Sequence, residues 1–369
     1  MKISLFNNSA FLISKNDFCT EIATGKFAKE LQSLGNEVTF YGQFLSNVEN
    51  TTDTFRVLEN GIAIKGIERK KNKVLNYLIL YLKAIPEIYR SDFIYFFYPT
   101  AYRFLIFFAI IFRKKYGLYI RGIDDIKKIE SHIFYKGAYH VFTVADYFTN
   151  YVNEIKGEIV ATTIRPMIMF DEHDIVSNPT YNKIPSQLNL LYLGRMTNDK
   201  GIIELLHAIK QLVAQDWRPH LVLVGSGEYL DELQDLAKQL EILEYVNFTG
   251  PVFEKDEIIK HYLDADVYIL PTYHEGFPRT LYEAMIFGTP IVTTFVGGIS
   301  GIMIHKKNCL QIQPKSVESI VSSLLFVQQN YDEMVTLAKN ASITIKEILE
   351  TRKLSHAESL NNELKKIRK

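Results

Sequence analysis

The sequence predicts two α/β domains, each built on a parallel sheet with helical crossovers. Three observations point that way. The chain has 369 residues, too many for one ordinary core and enough for two domains. Strand-like and helix-like periods alternate along nearly its whole length, the pattern of parallel sheets. The alternation breaks at a stretch bracketed by Pro166, Pro179 and Pro185, then starts again.

Taken in order, Lys2 to Phe6 reads as a first strand. Ile22, Phe27, Leu31 and Leu34 recur at helical spacing within Thr20 to Leu34, and Gly35 suits the cap. Glu37 to Tyr41 is the next strand, followed by an amphipathic helix over Val74 to Ile85 and the apolar strand Phe93 to Tyr98. Leu118 to Ile120, His140 to Val144 and Glu158 to Thr162 are further strand candidates. Beyond the prolines come strand Leu188 to Leu193, helix Ile202 to Ala214 and strand His220 to Val224. Helix Tyr229 to Leu240, strand Val246 to Thr249, helix Asp256 to Leu263 and strand Val267 to Leu270 follow. Arg352 to Lys369 reads as a polar helix. The expected division is 1–166, a linker at 167–187, a second domain at 188–345 and a closing helix at 346–369 that packs back on the first domain.

Composition narrows the function classes. The apolar share of 47% and charged share of 23% are those of an ordinary globular protein. Zero formal net charge argues against a nucleic-acid partner. The two halves differ: Met1 to Arg165 holds 22 basic against 16 acidic residues, and the remainder 20 against 26, a split that can mark an interaction face. Cys19 and Cys309 form no framework, so a reducing, cytoplasmic setting is expected. The first residues read as a strand rather than a secretion signal. The longest apolar run, Phe104 to Phe112, falls well short of the roughly 20 residues that span a bilayer. Arg69-Lys70-Lys71-Asn72-Lys73, ahead of an apolar helix, reads either as a solvated face or as a dock for an anionic membrane surface, as does Arg113-Lys114-Lys115.

In open α/β sheets ligands bind at the carboxyl ends of strands. Four such ends in the second half carry suggestive residues. Gly194-Arg195-Met196-Thr197-Asn198-Asp199-Lys200-Gly201 puts two cations on one loop, suited to a diphosphate or simply solvated. Gly225-Ser226-Gly227 allows close backbone approach but is not a full dinucleotide fingerprint. Gly250-Pro251-Val252 is a turn that could hold a flat base. The fourth end, Pro271 through Met285, runs from an apolar strand through a loop into a helix expected to begin near Thr280. A helix start favours an anion. Glu275 on the loop and Glu283 one turn into the helix suit a ligand bearing both hydroxyls and phosphates, or a charge–dipole arrangement.

Gly194-Arg195…Lys200-Gly201, Gly225-Ser226-Gly227, Glu275-Gly276-Phe277-Pro278…Leu281…Glu283-Ala284-Met285 and Gly288-Thr289-Pro290-Ile291-Val292 resemble glycosyltransferase family 4, as does Gly297-Gly298-Ile299. The resemblance runs from about Leu188 to Pro314. It implies the GT-B fold, two Rossmann-like domains facing a cleft, with the acceptor on the first domain and a nucleotide-diphosphate sugar on the second. It implies transfer of a hexosyl or N-acetylhexosaminyl unit with retention, to a saccharide or lipid-linked saccharide, in bacterial surface polysaccharide or glycolipid synthesis.

The resemblance assigns Arg195 and Lys200 to the donor diphosphate and Glu283 to the ribose hydroxyls. Glu275, Gly276 and Phe277 would face the sugar, Thr280 and Leu281 would offer backbone N–H groups to phosphate, and Val252 would sit by the base. Gly194 and Gly225 belong to the same donor site. No metal and no other cofactor is expected. Asp264-Ala265-Asp266 imitates a metal motif at an ordinary helix–strand junction, and the nine histidines lack paired ligand spacing, although His274 could line the pocket. The first half departs from the family pattern. Asn7-Asn8-Ser9 stands where a glycine pair is usual, Arg121-Gly122-Ile123-Asp124-Asp125 where many members have a histidine, and Arg165-Pro166 where Asn-Gly is common. Asn8, Arg121 and Asp124 are candidate acceptor-side contacts, or else surface caps. A sugar epimerase or phosphorylase on the same fold and a non-catalytic sugar-binding subunit are the rival readings.

Overall fold

The structure is a computed structural model that describes all residues except 8, 15, 47–54, 99–101, 121–127, 166, 167, 182–186, 277 and 369. The chain divides into two compact units. The first comprises Met1–Met169 with Arg352–Lys369, and the second comprises Phe170–Thr351.

The first unit runs β1 (Lys2–Phe6), β2 (Phe11–Ser14), β3 (Asp17–Thr20), α1 (Ile22–Ser33), β4 (Glu37–Leu45), β5 (Phe55–Arg56) and β6 (Ala63–Glu68). It continues with α2 (Lys73–Arg90), β7 (Phe93–Tyr98), α3 (Leu105–Ile111), β8 (Lys115–Ile120), α4 (Ile129–Gly137), β9 (His140–Thr143), α5 (Asp146–Lys156) and β10 (Ala161–Thr163). Strands β10, β9, β8, β7, β1 and β4 lie side by side, with β6 on β4, and all these pairings are parallel. The chain therefore builds outward from β1 in one direction, then restarts at β7 in the other. All six residues of β7 are buried, as a central parallel strand covered on both faces requires.

Several elements depart from the expected ones. The β2–β3 hairpin, β5 and β6 were not anticipated, because each is too short to show a sustained period. The strand expected over Glu158 to Thr162 is confined to Ala161–Thr163, since Gly157 ends α5 in a left-handed conformation and the chain must turn there. Helix α2 is longer than Val74 to Ile85, and Asn72 caps it by accepting from the Leu75 amide at 3.1 Å.

The second unit runs β11 (Asn189–Leu193), α6 (Ile202–Val213), β12 (His220–Val224), α7 (Leu230–Gln239), β13 (Val246–Gly250), α8 (Lys255–Asp264) and β14 (Val267–Leu270). Then come α9 (Arg279–Phe287), β15 (Ile291–Thr294), β16 (Leu310–Ile312), α10 (Val317–Gln329) and α11 (Tyr331–Thr351). Its sheet has the order β13-β12-β11-β14-β15-β16, parallel throughout. The unit starts at Phe170 because part of the expected linker is anchored to it. The Phe170 ring meets Phe287 at 4.8 Å, the Val176 amide donates to Ile286, and Asp174 pairs with Lys255 at 2.6 Å. Helix α11 carries this unit on to Thr351, past the expected limit at 345.

The final helix, α12 (His356–Arg368), belongs to the first unit and packs on α1. Its anchor is His356, buried among Phe27, Tyr95 and Tyr119 and hydrogen-bonded to the Tyr95 hydroxyl at 2.6 Å. Burying aromatic rings around a satisfied polar group makes such a closure both stable and specific.

Candidate active site in the second unit

Strand order places the site. The chain lays down β11, β12 and β13 in one direction, then returns to the other side of β11 with β14. The switch point therefore lies between β11 and β14, where carboxyl-end loops diverge and leave room for a ligand. Both loops singled out in the sequence, Gly194–Gly201 and Pro271–Pro278, emerge there.

Backbone contacts lock these loops together. Tyr273 donates its amide to the Asp199 carbonyl at 2.8 Å, and the Thr272 hydroxyl reaches the same carbonyl at 3.0 Å. Met196 donates to Ser226 at 2.9 Å, and Gly225 to Gly250 at 2.9 Å, so the loops after β11, β12 and β13 form one edge. Two glycines permit the closest approaches. A Cβ on Gly201, whose φ is +68°, would lie 2.1 Å from the Pro271 carbonyl oxygen, and one on Gly297, φ +55°, only 1.8 Å from that of Glu275. The β14 loop is thus gripped from both flanks by residues that can only be glycine.

Lys200 ends a 3₁₀ turn over Asn198–Lys200 and is buried. Its Nζ donates to Glu275 Oε2 at 2.6 Å and lies 3.5 Å from Asp199 Oδ2. Burial raises the Asp199 carboxyl, but the Thr197 hydroxyl at 2.6 Å and the Lys200 charge outweigh it and hold it below its ordinary value. Arg195 is exposed, and its carbonyl accepts from the Tyr192 hydroxyl at 2.7 Å. Gly194, Gly225, Val252 and Gly276 line the same strand-end edge, all half-buried.

Helix α9 starts at Arg279, one residue before the expected position, after Pro278. Glu283 is buried one turn in, where Tyr262 donates to its Oε2 at 2.9 Å. Burial pushes the Glu283 carboxyl above the usual carboxylate range, against the pull of that hydrogen bond and of Arg279. Tyr268 shares a 2.5 Å hydrogen bond with the Thr280 hydroxyl, and Tyr262 also reaches the Thr280 carbonyl at 3.1 Å. These two tyrosines were not singled out in the sequence; a tyrosine on β14 and another on α8 give no local signal of converging on one helix start. The Leu281 amide donates to the Pro278 carbonyl at 3.1 Å within the first turn of this helix.

Asp266 is accounted for elsewhere. Its carboxylate accepts the Asn189 amide at 2.8 Å, and its own amide donates to the Asn189 carbonyl. It ties β11 to β14 at their amino ends, the opposite sheet edge from Gly194 and Pro271. A cavity of about 460 Å³ opens beside the Thr197–Asp199 turn, lined in part by Glu204, Glu228, Tyr273 and Lys315; Arg195, Lys200, Glu275 and Glu283 are not among its lining residues. Asn8, Arg121, Asp124 and Phe277 lie outside the described residues.

Comparison with known proteins agrees with this architecture. The model of the family described as "Glycosyl transferases group 1" matches residues 179–343. An uncharacterized glycosyltransferase of Methanocaldococcus jannaschii is 38% identical over 131 residues, 36% of this chain and 33% of that protein. A putative teichuronic acid biosynthesis glycosyltransferase of Bacillus subtilis is 34% identical over 134 residues, 36% of this chain and 31% of that one. The matched stretch thus spans about a third of the length of these curated relatives. Among solved structures, Anabaena HepE in complex with UDP superposes with a TM-score of 0.69 at 17% identity, covering 98% of this chain and 100% of that one. WaaG, a glycosyltransferase involved in lipopolysaccharide biosynthesis, gives 0.64 at 14%, covering 99% of both. The chain has the two-domain GT-B fold, and its residues 179–343 match the model of the glycosyl transferases group 1 family.

Proposed function

We propose that this chain is a retaining, nucleotide-sugar-dependent glycosyltransferase. It would move a hexosyl or N-acetylhexosaminyl unit to a hydroxyl of a saccharide or lipid-linked saccharide in surface polysaccharide or glycolipid synthesis. The observation that carries the reading is the 2.6 Å ion pair between buried Lys200 and half-buried Glu275 at the β11/β14 switch point, on the loop that leads into α9 and within the matched family segment.

In this reading Arg195 and Lys200 neutralise the charge that grows on the diphosphate as the C1–O bond breaks. Glu275 orients Lys200 and faces the sugar beside Gly276, while Glu283 receives the ribose hydroxyls. The acceptor oxygen bonds to C1 on the face that the phosphate leaves. Its proton passes to the departing phosphate oxygen, so no dedicated base is required. The protein contributes positioning and fixed charge. Two cations and a helix start do the diphosphate work that a divalent ion does elsewhere. The acceptor belongs on the first unit, where Asn8, Arg121 and Asp124 are the candidate contacts.

The test is a thermal-shift panel of UDP-, GDP- and ADP-sugars, because a bound donor stabilises by RT ln(1 + [L]/Kd). UDP-sugars head the panel, given HepE's complex with UDP. NMR of the glycoside formed with the stabilising donor then reads the anomeric outcome. An inverted product would overturn retention, and turnover of the sugar nucleotide without any acceptor would favour an epimerase.

A further inference from the structure

Helix α2 is amphipathic in an inverted sense. Its buried residues are Asn76, Leu80, Ala84, Glu87 and Ile88, two of them polar. Glu87 is held inside by the Ser4 hydroxyl and Lys65, both at 2.8 Å. Leu75, Leu78, Leu82 and Tyr89, spaced three, four and seven apart, fall together on the opposite face. That face is exposed: Leu82 keeps 59% of its surface and Tyr89 65%. An isolated exposed leucine is ordinary, but an ordered stripe of them on one helix marks an interaction surface.

The stripe continues onto the neighbouring helices. Tyr89 packs edge-on against Phe112 at the end of α3, where Ile111 is 68% exposed beside Phe107 and Ile110. Phe107 in turn meets Phe134 of α4 at 5.1 Å, and Ile129 and Ile133 of that helix are exposed. Basic groups border the apolar area. Lys114 lies over the Tyr89 ring at 5.4 Å and Arg103 over Phe104 at 5.1 Å. Arg69, Lys70 and Lys71 precede α2, with Lys73, Lys83 and Arg90 on it, all exposed. Of the carboxylates on these helices, Glu87 points inward and Glu130 lies 4.0 Å from Arg103.

We infer that the α2–α3 face of the first unit docks on an anionic lipid bilayer. Apolar side chains aligned along a helix lying in the interface, edged by lysine and arginine whose stems extend from aromatic rings, match the layering of acyl chains beneath acidic headgroups. No helix among the described residues is long and apolar enough to cross the membrane, so the contact is peripheral. The inference does not rest on the catalytic reading, since lipid binding needs neither donor nor acceptor.

Sedimentation with vesicles decides it, using the full chain at low salt. The chain is expected in the pellet with vesicles containing phosphatidylglycerol and in the supernatant with pure phosphatidylcholine. Binding should fall as salt rises, through screening. Each basic residue near an acidic leaflet is worth about fivefold in partition, so changing Lys70, Lys71 and Lys73 to Ser should cut it by about 10²-fold. The triple change Leu75→Ser, Leu78→Ser and Leu82→Ser should abolish binding while the circular dichroism spectrum and the donor-induced thermal shift stay unchanged. Equal recovery with both vesicle types, or leucine variants that still pellet, would overturn the inference. So would a dimer mass in solution that those same variants reduce to a monomer, because a second copy would then cover the face.

Discussion

Lys200 and Glu275 stand 75 residues apart in the chain, yet the Lys200 Nζ donates to the Glu275 carboxylate at 2.6 Å from a side chain only 9% exposed. The pair joins the loops after β11 and β14, the two strands that flank the switch point. A buried ion pair is weak evidence for stability, since desolvation offsets much of the attraction. Its placement argues for function: a lysine already drawn out of water and oriented is ready for a phosphate.

Removing Lys200 leaves half-buried Glu275 without this charge partner, whereas removing Glu275 leaves buried Lys200 with Asp199 at 3.5 Å. Lys200→Ala should therefore lower stability by about 1–3 kcal/mol and kcat/KM by at least about 10²-fold. Glu275→Ala should act on kcat rather than KM, also by about 10²-fold, if its contact tightens in the transition state. Combining Lys200→Ala with Glu275→Ala should be non-additive by about 1–3 kcal/mol. Steady-state kinetics and thermal melts of the four proteins check this; wild-type kinetics in both single variants would place the chemistry elsewhere.

Glu283 links stability to pH in a direction opposite to the usual carboxylate. Burial raises its folded pKa above the unfolded value. Its contribution is therefore fully present below the unfolded pKa and lost as pH rises through the folded one. Glu283→Gln keeps an oxygen for the Tyr262 hydroxyl and removes the buried charge. The variant should melt higher than the parent at neutral pH, with a flatter dependence of melting temperature on pH. Donor binding should move the other way, weakening by about 1.5–3 kcal/mol in Glu283→Ala through loss of charged hydrogen bonds to the ribose. Calorimetric melts and donor titrations measure the two effects separately.

Activity should survive excess chelator, because Arg195, Lys200 and the start of α9 are proposed to take the place of a divalent ion. Turnover is measured before and after exhaustive treatment with chelator. Abolition followed by rescue with manganese would sink the proposal.

Glycine positions offer a structural control. Gly201→Ala adds a Cβ 2.1 Å from the Pro271 oxygen at φ +68°, whereas Gly35→Ala at φ +85° meets nothing within 4 Å. A left-handed residue costs about 1–2 kcal/mol on its own. Gly35→Ala should show that cost and normal kinetics. Gly201→Ala should lose more stability and also turnover, since the β14 loop carrying Glu275 must shift. Equal loss of activity in the two variants would separate the loop geometry from the chemistry.

The second unit was largely legible along the chain. Its strands are short, apolar and separated by amphipathic helices, so period alone marks them, and the glycines and charges of the site lie at strand ends within single short segments. The first unit was less so. Its hairpin β2–β3 and strand β6 are paired through contacts that no local period encodes, and the apolar residues of α2 suggest a buried face without saying which face is buried. A helix that is apolar on most sides can turn any of them inward. Here Asn76 and Glu87 are drawn to the inside by the groups that satisfy them, Lys65 and Ser4 for Glu87 and Gln43 and the Lys70 amide for Asn76, leaving the leucines outside. Residue types and spacing established the sheets, the strand-end loops and the candidate charges, because those depend on neighbours in sequence. The Lys200–Glu275 contact, the convergence of Tyr262 and Tyr268 on α9, and the outward stripe of α2 depend on groups brought together from distant strands. They follow from strand order and packing, which local periodicity does not carry.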